Sequence, residues 1–144
     1  MIRLLFTGLL LFSITAHSSD YFSDENGVAG GNDVVAYFIE GQVISGSPKF
    51  ELQWQGATWR FASEAHLEMF STDPERYAPQ FGGAGALTIA HGARFPGNPA
   101  AWSIYNDRLY FFLFPAARDT WLMNPDKLVP RAEKQWPALD NAGD

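Results

Sequence analysis

The segment from Phe50 to Phe61 constrains the fold most. Phe50, Leu52 and Trp54 alternate with Glu51, Gln53 and Gln55, and beyond Gly56 the residues Ala57, Trp59 and Phe61 alternate with Thr58 and Arg60. Side chains on a strand point to opposite faces in turn. Two such runs flanking a glycine-containing turn therefore predict an antiparallel hairpin with one buried face.

Helix signals follow. Ser63-Glu64 offers an N-cap hydroxyl and an acid against the helix dipole. At 100° per residue, Ala62, Ala65, Met69 and Phe70 fall on one side and Glu64 and Glu68 on the other. Thr72-Asp73-Pro74-Glu75 starts a further turn with proline at its first position. Upstream, Asp33 after Gly30-Gly31-Asn32 can cap a short helix over Val34–Ile39, a segment whose Val34-Val35 and Tyr37-Phe38 also suit a strand; the helix is preferred. Downstream, Tyr77 to Gly85 reads as a tight loop, and Ala86–Ala90 as a buried helix or a strand. Trp102–Tyr105 and Arg108–Phe111 flank Asn106-Asp107, two residues suited to a type I′ turn, which predicts a second hairpin. Helices are expected over Ala116–Met123 and Lys127–Gln135, with order ending at Trp136-Pro137. The expected class is α+β, with small antiparallel hairpins packed against short helices and no internal repeat, linker or second domain.

The chain begins Met1-Ile2-Arg3, runs apolar from Leu4 to Ile14, and turns polar at His17-Ser18-Ser19-Asp20. That is the pattern of a signal peptide over residues 1–18, cut after Ser18 or after Ala16. The apolar run is well short of the ~20 residues that span a bilayer. A single exported domain over 19–144, its core at about 28–137, is expected, periplasmic in a Gram-negative source and otherwise secreted, with no stable membrane anchor after cleavage. The chain has no cysteine. A lipoprotein anchor and disulfides are therefore excluded, and aromatic packing has to supply the stability. A formal charge of −6 argues against nucleic acid and anionic membranes as partners.

The stretch Trp54-Gln55-Gly56-Ala57-Thr58-Trp59-Arg60-Phe61-Ala62-Ser63-Glu64, continued by Phe70 and Asp73-Pro74-Glu75-Arg76-Tyr77, resembles the YHS-domain core. Gly30-Gly31-Asn32-Asp33-Val34-Val35-Ala36-Tyr37-Phe38, Ser45-Gly46-Ser47-Pro48, Ala78-Pro79-Gln80-Phe81-Gly82-Gly83, Leu109-Tyr110 and Trp136-Pro137 extend the likeness to the exported single-domain YHS proteins of bacteria. The resemblance implies a hairpin feeding a helix and an association with metal, often copper, through cysteines at the positions of Ala62 and His66, with a further one at Gly85. None of these is cysteine here, and the Tyr-His-Ser tripeptide is absent. The resemblance therefore implies the scaffold without its thiol site.

Four residues remain as ligand-binding candidates: Asp33, Tyr37, His66 and His91. His66 falls inside the apolar helix face, either as a retained ligand position or as a buried histidine satisfied by one hydrogen bond. His91 could join it if the loop folds back, but two histidines fall short of the three or four ligands that zinc takes. Asp33 and Tyr37 lie one helical turn apart, as a polar pair for a ligand or as a cap plus a core aromatic. The expected function is a non-enzymatic module for a small ligand or partner protein, with a degenerate metal site and no cofactor. The alternatives are a copper- or zinc-binding protein using the histidines, and an enzyme in which Asp33, Tyr37 or His66 converge on free space.

Overall fold

The computed structural model describes residues 19–140, so the expected signal peptide lies outside the described residues. Strands β1 (Ser23–Asp24) and β2 (Gly27–Val28) form a small ribbon, followed by a 3-10 turn at Ala29–Gly31 and helix α1 (Val34–Ile39). Next come β3 (Ser47–Trp54), β4 (Ala57–Phe61), α2 (Glu64–Thr72) and α3 (Pro74–Tyr77). A second 3-10 turn at Gln80–Gly83 leads to α4 (Ala86–Ala90), β5 (Asn98–Tyr105), β6 (Arg108–Phe112), α5 (Pro115–Met123) and α6 (Pro125–Asp140). Among the described residues, three two-stranded antiparallel sheets and six helices make this an α+β protein.

Both expected hairpins form. Their turns carry positive φ at both central residues, 51° and 69° at Gln55-Gly56 and 49° and 58° at Asn106-Asp107, the geometry that matches the strands' twist. The first hairpin is one-sided as its alternation predicts: Ala57, Trp59 and Phe61 are buried, while across the other face Arg60 pairs with Glu51 at 2.7 Å and Gln53 donates to Thr58. The second hairpin is buried on both faces. Leu109 and Phe111, with Trp102 and Ile104, join the core built by the first hairpin and α2. Tyr110 and Phe112, with Ala101 and Tyr105, join a second core under α4, α5 and α6.

The expectation of no internal repeat is wrong. The order glycine turn, short helix, hairpin, helix, proline-initiated helix occurs twice. The register breaks between Ser47 and Glu51 in one hairpin and between Asn98 and Trp102 in the other, with Ser47 opposite Phe61 and Asn98 opposite Phe112. Each short helix is bracketed by the same backbone links. Asp33 N–H donates to Ile44 O and Gly46 N–H to Gly31 O; Gly85 N–H donates to Phe95 O and Gly97 N–H to Gly83 O. Phe61, Phe70 and Asp73-Pro74 thereby correspond to Phe112, Trp121 and Asn124-Pro125. Phe61 and Pro74 recur as Phe112 and Pro125, while Phe70 gives way to Trp121 and Asp73 to Asn124, so the repeat is carried by aromatic size and turn geometry more than by letters.

Two local expectations also change. Ala62 and Ala65 are exposed, and the inward side of α2 is centred on His66, Leu67 and the fully buried Phe70. Order does not end at Trp136-Pro137: α6 continues to Asp140 through Pro130 and Pro137. Each proline removes a backbone donor, but Trp136 packs edge-on against Phe81 at 5.8 Å and Leu139 packs on the second core. These tertiary contacts hold the final turn.

Candidate functional site

Asp33 and His66 meet at the corner where α1 abuts α2. Asp33 has extended backbone and caps α1, its Oδ1 accepting from Val35 N–H at 2.9 Å and Ala36 N–H at 3.2 Å. Its Oδ2 accepts from Ala62 N–H at 2.9 Å and lies 2.6 Å from His66 Nδ1. The carboxylate is fully buried, as a polar group can be when every lone-pair direction meets a donor. Ser63 caps α2 by accepting from His66 N–H at 3.1 Å, so the histidine is held by its backbone and by its ring. A carboxylate already accepting three N–H groups acts here as acceptor, so Nδ1 carries the hydrogen, and in the neutral imidazole Nε2 is the bare nitrogen.

The other two sequence candidates lie elsewhere. Tyr37 is buried, and its hydroxyl donates to Pro99 O at 2.7 Å; burial pushes its phenol well above the usual range. Its ring stands edge-on to Trp102 at 5.0 Å. It is a core aromatic that braces the start of β5, not a partner of Asp33. His91 is exposed at the end of α4, beside Pro130, Arg131 and Lys134 in an open depression. Helix α2 packs on α1, α3, β3 and β4, whereas α4 packs on α5, α6 and β6. Among the described residues no group of three or more His, Asp or Glu side chains is placed to hold a metal ion.

The corresponding corner of the second half is built differently. Gly85 stands where Asp33 stands and gives α4 no side-chain cap. Leu113 and Ala117 take the places of Ala62 and His66. A Cβ on Gly85 would lie 3.0 Å from Thr88 Oγ1 and 3.1 Å from Leu113 Cγ, so the threonine and leucine side chains occupy the space that the carboxylate fills in the first half.

A cleft of about 340 Å³ lies on the seam between the halves. Gly30 of the first glycine turn and Gly83 of the second contribute to its wall, with Phe22, Gly97, Pro99 and Phe111. The lining is mostly apolar, and the volume sits at the low end of the range for small-molecule pockets. Glycine lets the backbone come close: at Gly97 a Cβ would fall 2.6 Å from Phe111 Cβ and 2.8 Å from Gly83 O. Tyr37 supports the cleft from behind through its bond to Pro99. Three depressions among the described residues are larger: two, of about 610 and 590 Å³, are more open, and one of about 370 Å³, with Asp20, Glu75, Gln80 and Arg108 in its wall, is mostly polar.

The structure thus joins Asp33 to His66, sends Tyr37 to the rear of a cleft, and leaves His91 apart. The cleft residues Phe22, Gly97 and Pro99 were missed from the sequence. The signal that could have found them is the pair of double glycines, Gly30-Gly31 and Gly82-Gly83, each ahead of a short helix. No family model, no curated protein and no solved structure matches this chain.

Proposed function

We propose that this protein is an exported, YHS-like binding module, non-enzymatic, that takes a small apolar or aromatic ligand in the seam cleft between its halves. The observation that carries the reading is the cleft itself, mostly apolar and walled by glycine turns from both halves. An enzyme would need its polar candidates to converge on free space. Asp33 instead spends its lone pairs on four N–H groups, and the Tyr37 hydroxyl is bonded to Pro99 O.

The test is a titration of isotope-labelled protein with neutral aromatic fragments, following amide resonances. Gly30, Gly83 and Gly97 are expected to shift together, although they are far apart in the chain. Ser23 is exposed at the rim of the cleft, so Ser23→Trp fills the opening without touching the core and is expected to abolish those shifts. Fragments that leave the three glycines unmoved, or bind equally well to Ser23→Trp, refute the assignment.

A further inference from the structure

The two halves build the same hairpin-to-helix corner in opposite ways. The first buries an acid and an imidazole there, 2.6 Å apart; the second uses Gly85, Leu113 and Ala117, with no side-chain cap and no ionisable group. A buried ionic or strongly polar pair is seldom more stabilising than well-packed apolar groups of similar volume. The second half shows that this architecture closes without one. Stability of the fold is therefore a poor reason for Asp33 and His66.

We infer that Asp33 is a positioning residue for His66, holding the ring as its Nδ1–H tautomer so that Nε2 is presented to solvent as an acceptor for an N–H or O–H group of a ligand. Nε2 bonds to no described residue, and it is not among the buried polar atoms that lack a partner. With 13% of the side chain exposed, it reaches the surface. The ring cannot turn without breaking the Asp33 bond, and Asp33 cannot turn without uncapping α1 and releasing Ala62 N–H. A bare nitrogen fixed in direction is what recognition of a donor requires. His66 does not line the seam cleft, so this second contact point stands or falls independently of the ligand proposed there.

Three measurements test it. Long-range ¹⁵N spectra of the full domain at neutral pH are expected to show His66 with Nδ1 protonated and Nε2 bare, and the exposed His91 as a tautomer mixture. Asp33→Asn is expected to move His66 toward that mixture. A wild-type His66 already in the mixture, or in the Nε2–H form, overturns the inference. Diethyl pyrocarbonate, an electrophile that attacks a bare, accessible ring nitrogen, is expected to modify His66 in the wild type; an unreactive His66 overturns it as well. Finally, Asp33→Gly, Ala62→Leu and His66→Ala together copy the second half's corner into the first. The combined variant is expected to fold with a denaturant midpoint no lower than wild type and to lose the His66 modification. If it unfolds or loses most of its midpoint, the pair is structural cement and the inference fails.

Discussion

Removing the Asp33 carboxylate should unsettle the first half far more than removing its histidine partner. In Asp33→Ala the N-cap bonds to Val35 and Ala36 disappear, a loss of about 1 kcal/mol for a cap of this kind. Ala62 N–H, which the carboxylate satisfies at 2.9 Å, is stranded in a part-buried site at a further cost of about 1–3 kcal/mol. His66 Nδ1 also loses its acceptor, but the ring is near the surface and can turn to water. The relief of no longer burying a carboxylate offsets part of the total. A net loss of about 3 kcal/mol results, a large share of the ~5–15 kcal/mol that holds such domains folded. His66→Ala removes one of four donors and leaves the other three in place, so about 1 kcal/mol is expected. Urea unfolding followed by tryptophan fluorescence suits the comparison, because Trp59 lies in the same core and stacks on Phe70 at 4.8 Å. The midpoint should fall for Asp33→Ala with the slope unchanged. Equal losses for the two variants, or a loss below about 1 kcal/mol for Asp33→Ala, would refute this account of the network.

Other consequences can be measured alongside. At Gly46 a Cβ would fall 2.5 Å from Arg60 C and O, whereas at Gly41 it meets nothing within 4 Å. Gly46→Ala should therefore cost several kcal/mol, on the order of 3 or more, and Gly41→Ala only the ~1 kcal/mol of its positive φ; similar losses in thermal unfolding would contradict the packing. Burial, with Glu75 and Asp20 nearby, pushes the Tyr21 phenol up to about 12 from 10.0. The folded state thus holds that proton more tightly than the unfolded chain, and the associated stability is intact below pH 10 and lost as pH rises toward 12; Tyr21→Phe should flatten this slope and remove one late step from the tyrosinate absorbance titration. The Trp121 indole N–H is buried without an acceptor among the described residues, and its counterpart in the first half is Phe70. In Trp121→Phe, removal of the stranded donor offsets the lost volume, and calorimetry should find a change within about 1 kcal/mol.

Local patterning made the first hairpin, the type I′ turn at Asn106-Asp107, the Asp33 and Ser63 caps and Pro74 at a helix start readable, because each depends on residues close in sequence. The role of Asp33 was half visible. Its capping of α1 is local, but its bonds to Ala62 and His66 span the hairpin and depend on how the corner closes. The same holds for Tyr37, whose partner Pro99 lies in the other half. Helix α6 outran its prolines because Trp136 and Leu139 are held from outside it. The repeat stayed hidden since its halves keep aromatic bulk but few letters: Phe61 recurs as Phe112, but Trp59 answers to Tyr110, and Phe70 to Trp121. One clue to the two-sided second hairpin was present in Leu109-Tyr110-Phe111-Phe112, where apolar residues occupy consecutive positions instead of every other one.

That strand also determines how the molecule comes apart. With Leu109 and Phe111 on one side and Tyr110 and Phe112 on the other, β6 is a party wall, and neither half can lose its core without stripping one face of the wall they share. Duplicated modules joined end to end usually unfold one after the other, but these two have a common strand. Trp59 and Trp121, one in each core, should report a single coincident transition. A ligand seated in the seam would then stabilise both halves at once.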